Sequence, residues 1–292
     1  MAQITIDRTA CIRCGRCVDV CAIAHVFELS DESSVPVRAH DCWNCGQCVA
    51  ACPTDAIDHE AFPLEECPII ESSALPSRQE LIAAFRMRRS HRAFQPAPVD
   101  REIVRDLIDL GRWAPTASNS QAVDWIAFDD PTRIEELSRG VVGEIARYVR
   151  LSQMPVVRWL LPLFMSRDTR RQLRKGQTLL ERFETAHQRG EDPIFYGAPV
   201  VLIGHCPSRK MFSRDDAVYA AYNVALVAET FGLGACQIGF FQLVAERSGR
   251  LLRRIGLPAG RTPQVALILG YPRHEFRRGI PRRSPNLIWN PR

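Results

Sequence analysis

Lysine is almost absent from this chain: of 38 basic side chains, only Lys175 and Lys210 are not arginine. Arginine suits bidentate phosphate recognition, but so uniform a bias reads first as genome composition rather than as a binding surface. A secretory start is also lacking, because MAQITIDRTAC offers no basic segment followed by an apolar one. The most apolar run, residues 154–165 (MPVVRWLLPLFM), is too short to span a bilayer and holds Arg158 and two prolines. No G-x-G-x-x-G dinucleotide fingerprint is evident, and neither tail has the composition of a disordered segment. A cytoplasmic protein with no membrane span is therefore expected. With 46% apolar and 24% charged residues over 292 positions, the chain has material for two ordinary globular domains.

Cysteine, by contrast, is plentiful. Eleven cysteines in a cytoplasmic protein argue for metal binding rather than disulfides. Cys11, Cys14, Cys17 and Cys21 recur 31 residues later as Cys42, Cys45, Cys48 and Cys52, and both runs read C-x2-C-x2-C-x3-C. Three closely spaced thiolates can wrap three corners of one iron–sulfur cube, whereas the more distant fourth points away and needs another cluster. With two runs, each fourth cysteine can complete the other run's cube. The expected ligands are Cys11, Cys14, Cys17 and Cys52 for one [4Fe–4S] cluster, and Cys42, Cys45, Cys48 and Cys21 for the other. Gly15 and Gly46 hold matching places where the chain must bend tightly. Structural zinc is the rival reading, but a four-ligand site does not explain the interlocked three-plus-one spacing. Eight thiolates against two oxidised cores of +2 each remove four charges from the formal +5, leaving about +1, so nucleic acid is not indicated. Cys67, Cys206 and Cys236 stand outside the repeat and read as buried, inert thiols.

Over residues 1–62 the sequence resembles the bacterial two-cluster ferredoxin family, and CPTDAI at 52–57 is close to that family's usual ending. Ala22 follows Cys21 where the family usually has proline, a departure that bears on the loop and not on the ligand. Residues 63–77, with prolines, serines and glutamates, read as a linker, and a second domain is expected over 78–292.

Ser77 and Glu80 have capping-box spacing, and Leu81, Ile82 and Phe85 recur at helical spacing, so a helix is predicted from about Arg78 to Arg88. It delivers Arg88, Arg89, Ser90, His91 and Arg92, whose guanidinium forks and hydroxyl suit a terminal phosphate; taken alone, a basic stretch this short is usually a solvated face. Ile103, Val104, Leu107 and Ile108 mark an amphipathic helix that breaks at Gly111 and runs into Pro115, Thr116, Ala117, Ser118 and Asn119. That segment is either a plain connection or a loop small enough to approach a flat ligand. Residues 196–203 read as a strand entered through a tight turn, 215–231 as a helix closed by Gly232, and 265–269 as a strand.

The run RRSHRAF at 88–94, the helix, and APTASNSQ at 114–121 together resemble the nitroreductase family, over about residues 79–292. The resemblance implies an α+β fold with a central, mostly antiparallel sheet flanked by helices, two interlocked subunits, and FMN at the interface of a homodimer. It places Arg88, Arg89, Ser90 and Arg92 at the FMN phosphate and ribityl chain, and has Pro115, Thr116, Ala117, Ser118 and Asn119 approach the flavin from the partner subunit. Gln237, Ile238 and Gly239, in the glycine-rich segment 232–240, would pass beside the ring. Gly270-Tyr271-Pro272 and a proline-flanked arginine also resemble the family, implying that Arg282 returns to the phosphate, with Arg283 as its neighbouring alternative. Residues 139–192 interrupt the pattern with an arginine-rich, helical insertion that is expected to cap the flavin or merely cover core.

Clusters move single electrons, and FMN converts these to pairs. The expectation is an oxidoreductase in which an external low-potential donor, reduced ferredoxin, charges the clusters, with NAD(P)H acting directly over the flavin as the alternative donor. FMN, through its N5, then reduces a small organic acceptor such as a nitro compound or activated alkene, with no side chain required as the acid. The rivals are a non-catalytic electron carrier or redox sensor, and specialised flavin chemistry such as reductive dehalogenation.

Overall fold

The structure, a computed structural model, describes residues 3–154 and 167–291, without the side chains of residues 72 and 167–175. The chain divides into two compact units: Met1–Ser77 with Thr116–Ser120, and Arg78–Pro115 with Gln121–Arg292. The segment 63–77 thus groups with the first unit, where it forms two short 3-10 turns, Leu64–Glu66 and Ser72–Ala74. Among the described residues no helix is long and apolar enough to cross a membrane. The apolar run at 154–165 lies outside the described residues beyond Met154.

The first unit is two copies of one pattern. Strand β1 (Ile4–Ile6), helix α1 (Arg16–Val20) and strand β2 (Phe27–Leu29) are followed by β3 (Ser34–Pro36), α2 (Gln47–Ala51) and β4 (Ile57–His59). β1 pairs antiparallel with β4 and β2 with β3, so each half contributes one strand to each ladder. Gly15 and Gly46 precede the two helices at φ 74° and 72°, a left-handed conformation that glycine adopts without strain. The buried centre is small: Ile4, Val26, Phe27, Val49 and Ile57, together with two of the repeat cysteines, Cys17 and Cys48.

The second unit is an α+β domain. After α3 (Arg78–Met87) and α4 (Arg101–Gly111) come β5 (Asp124–Phe128), α5 (Pro131–Gln153), α6 (Arg167–Gln188), β6 (Val200–Pro207), α7 (Ser213–Ala228), β7 (Gly234–Gln237), α8 (Gly239–Ala245), α9 (Gly249–Ile255) and β8 (Arg261–Gly270). Local chemistry sets several starts. The Asp100 carboxylate accepts from Glu102 N at 2.9 Å to begin α4, and Asp130 accepts from Thr132 N at 2.8 Å ahead of Pro131 in α5.

The sheet runs β5-β6-β8-β7, with every pair antiparallel. Its central strands are covered on both faces, which explains their unbroken apolar sequence. Val201, Ile203, Ala266 and Ile268 face a core built with Leu137 of α5, Phe183 of α6 and Phe241 of α8. Val200, Leu202, Leu267 and Leu269 face the opposite way, onto Leu107 of α4 and Val224 of α7. Both central strands outrun the apolar stretches predicted for them, because ladder pairing continues to Pro207 opposite Arg261 after the core has ended. The interruption read at Arg139 falls inside α5, which already starts at Pro131. Cys206 and Cys236 are buried, as expected of inert thiols, and burial pushes the Cys206 thiol up to about 11. Cys67 is only half-buried, at the edge of the first unit's core, which corrects its reading as a buried thiol.

Candidate functional site

In the first unit the repeat cysteines come together across the two halves. Cys11, Cys14 and Cys17 line one cavity with Cys52, the last cysteine of the other run. On the other side, burial pushes the Cys48 thiol up to about 11, with Cys42, Cys45 and Cys21 close enough to add to the rise by repulsion. Both sets are the three-plus-one combinations that the spacing predicts. Four thiolates gathered in a partly buried place repel one another and need cationic compensation, which iron supplies. Backbone N–H groups already point at these sulfurs: Val26 N to Cys21 Sγ at 3.3 Å, Asn44 N to Cys42 Sγ at 3.4 Å, and Ala56 N to Cys52 Sγ at 3.3 Å. Such donors suit thiolate ligands, so the residues present fit two clusters.

In the second unit the basic loop runs alongside β7. Ser90 bridges to Ala235, and His91 N donates to the Ala235 carbonyl at 3.0 Å. The His91 ring turns inward and its Nε2 lies 3.1 Å from Glu229 Oε1, while Ser90 and Arg92 on either side stay exposed. Gly234 makes this approach possible, since a Cβ there would sit 2.4 Å from the His91 ring. The loop is therefore pinned to the sheet by the residue between its two outward-facing polar groups.

A cavity of about 450 Å³ opens beside this loop and the end of β7. Of the residues singled out in the sequence, Arg92, Gln237, Ile238 and Gly239 line it. Tyr196, Arg214, Gln242 and Phe240 join them, and none of these four was chosen as a site residue from sequence. Tyr196 takes a left-handed backbone at φ 57°, rare for a bulky residue, with the Arg92 guanidinium 5.9 Å above its ring. Burial pushes the Tyr196 phenol up and Arg92 draws it back down. Gln242 Nε2 donates to the Pro263 carbonyl at 3.2 Å and to Glu246 Oε1 at 2.6 Å, while its Oε1 is buried with no partner among the described residues. Two guanidinium groups, those of Arg92 and Arg214, at one cavity fit a ligand carrying phosphate.

The other predicted residues lie elsewhere. Arg89 sits 5.6 Å over the ring of Phe276, which lines a separate cavity of about 440 Å³ with Arg86, Arg277 and Arg278. Arg88 is half-buried at the end of α3, its N–H bonded to the Ala84 carbonyl. Pro115 is exposed, and Thr116, Ala117, Ser118 and Asn119 group with the first unit. There Ala117–Asn119 form a 3-10 turn and Asn119 Nδ2 donates to the Asn44 carbonyl at 2.6 Å. Arg282 and Arg283 are exposed in the C-terminal coil.

These features define an iron–sulfur, flavin-type oxidoreductase. A family model described as "Nitroreductase family" matches residues 85–271, and one described as "4Fe-4S dicluster domain" matches residues 10–56. The chain belongs to the nitroreductase family and carries a 4Fe–4S dicluster ferredoxin domain ahead of it. An uncharacterized ferredoxin of Methanocaldococcus jannaschii is 43% identical over 58 residues, 19% of this chain and 74% of that protein. The 4-nitrobenzoate reductase of Pseudomonas putida is 28% identical over 172 residues, 54% of this chain and 72% of that enzyme. Among solved structures, a nitroreductase of Bacteroides fragilis with bound FMN superposes with a TM-score of 0.52 at 17% identity, covering 72% of this chain and 99% of that one, a likeness of fold.

Proposed function

We propose that this protein takes single electrons from a low-potential external donor of the reduced-ferredoxin kind and delivers them in pairs to a small organic acceptor, a nitro compound or activated alkene, at FMN. When bound, two [4Fe–4S] clusters supply one-electron transfer and FMN supplies hydride from N5. The observation that carries the reading is the presence, in one chain, of two complete three-plus-one cysteine sets and a flavin-sized cavity lined by Arg92 and residues 237–239.

Each side chain has a distinct task. Cys11, Cys14, Cys17 and Cys52 hold one cluster, and Cys42, Cys45, Cys48 and Cys21 the other. Arg92 and Ser90 face outward from the pinned loop to receive the FMN phosphate and ribityl chain; Arg88, Arg89 and Arg282, which lie away from this cavity in the single chain, are proposed to reach the phosphate only in the dimer. Gln237 and Gly239 lie along the cavity and offer backbone amides to bond the ring and orient it, while the Ile238 N–H is held by the Ala266 carbonyl and Ile238 contributes its side chain to the lining. Residues Pro115 to Asn119 serve the flavin of the partner subunit, which makes a homodimer the working unit.

The test is anaerobic purification with iron, sulfide and flavin analysis, followed by titration with reduced ferredoxin while the flavin absorbance is followed. About eight irons and one FMN per chain, with the flavin bleaching, is the expected result. Eight irons without flavin would leave an electron carrier or sensor, and complete reduction by NADPH alone would overturn the choice of donor.

A further inference from the structure

The two halves of the first unit repeat their cysteines but not the side chains that touch them. His59 ends β4 and is 1% exposed. Its Nδ1 accepts a hydrogen bond from Ala61 N at 3.1 Å, so in the neutral ring the proton lies on Nε2. Nε2 is 3.5 Å from Cys42 Sγ, within reach of an N–H···S bond. Phe62 closes this corner: its ring lies 5.0 Å from that of His59 and 3.4 Å from where a Cβ on Gly46 would stand. The residue in the equivalent place of the first half, at the end of β2, is Leu29, which is 49% exposed and carries no donor.

The first half has a different partner. Ser34, 3% exposed at the start of β3, places its Oγ 3.0 Å from Cys17 Sγ. A metal-bound thiolate has no proton, so in that state the hydroxyl donates. At the start of β1 the corresponding residue is Ile4, which cannot.

We infer that His59 and Ser34 are positioning residues that set the potentials of the two clusters separately, His59 through Cys42 and Ser34 through Cys17. A hydrogen bond to a ligand sulfur stabilises the more negative, one-electron-reduced cluster and so raises its potential, and a dry setting strengthens the effect. The contacts fall on different ligands, the first cysteine of one run and the third of the other, so each can be changed without touching its counterpart. The inference rests on both clusters being bound, which iron and sulfide analysis checks independently of any potential.

The experiment is an EPR-monitored reductive titration of the anaerobically purified, full-length holoprotein with dithionite, which supplies one electron per cluster. His59→Phe is expected to lower one reduction wave and leave the other in place. Loss of one hydrogen bond to a charged group corresponds to roughly a tenfold change in the one-electron equilibrium, about 59 mV. Ser34→Ala is expected to lower the other wave only, and His59→Gln, which keeps an N–H donor, to restore part of the shift. With iron and sulfide unchanged, a His59→Phe protein whose waves do not move, or move together, overturns the inference. If His59→Phe loses iron, pulsed EPR on the unmutated protein with 15N-labelled histidine decides. An imidazole nitrogen coupled to one reduced cluster supports the inference, and the absence of coupling overturns it.

Discussion

Among the described residues of the first unit no strand exceeds three residues and α1 and α2 have five each; in the second, β8 has ten residues and α5 has 23. Helices of five residues are far below the length at which a helix is stable by itself, and the apolar centre around them is small. The second unit fills both faces of a four-stranded sheet with side chains that are almost fully buried. The difference teaches where each half of the protein finds its stability: the first from ligands that tie together residues distant in sequence, the second from apolar burial.

The contrast can be broken most sharply by stripping iron from the holoprotein with an anaerobic chelator. Amide protection over residues 3–62 is expected to vanish while β6 and β8 remain protected, as read by hydrogen-exchange mass spectrometry; equal losses in both units would end the comparison. Next in size, Leu267→Ala removes a side chain buried between β6, β7 and the helices on one face. It is expected to cost the second unit about 2–5 kcal/mol in denaturant unfolding, with iron content unchanged. Arg92→Ala should leave both folding and iron intact and weaken FMN by about tenfold to a hundredfold, the range of a charge-assisted hydrogen bond, as measured by quenching of flavin fluorescence. The smallest effect is expected of Asp100→Ala, which removes the α4 cap and about 1 kcal/mol of second-unit stability.

How much was legible beforehand follows from the same contrast. The cysteines of one run are neighbours in sequence, and their spacing points to interlocking with the other run, so a cavity lined by Cys52 with Cys11, Cys14 and Cys17 could be anticipated. The central strands and α7 were legible from periodicity, although the ladder carried β6 and β8 past their apolar stretches. The cavity was legible only on the side written in motifs. Arg92 and residues 237–239 belong to recognisable runs, whereas Tyr196, Arg214 and Gln242 are delivered by separate elements and meet only once the sheet is assembled. Tyr196 carried one available signal, its place before Gly197 in a tight turn, but nothing local shows that its ring would meet Arg92. His59 gave none, because a histidine at the end of an alternating strand is indistinguishable from ordinary core until the fold brings Cys42 to it.

The pairing of β1 with β4 sets Ile4 opposite His59, so the cysteine repeat's first and last strands lie side by side. A module whose two ends meet can be joined to a host at a single seam, without unpairing any of its own strands. Grafting residues 3–62 onto the start of another flavoenzyme would carry all eight repeat cysteines along with His59 and Ser34, and would leave behind the packing of Cys67 and the Asn119 contact to Asn44. The donor would thus bring its own wiring and the side chains that adjust it as one transferable cassette.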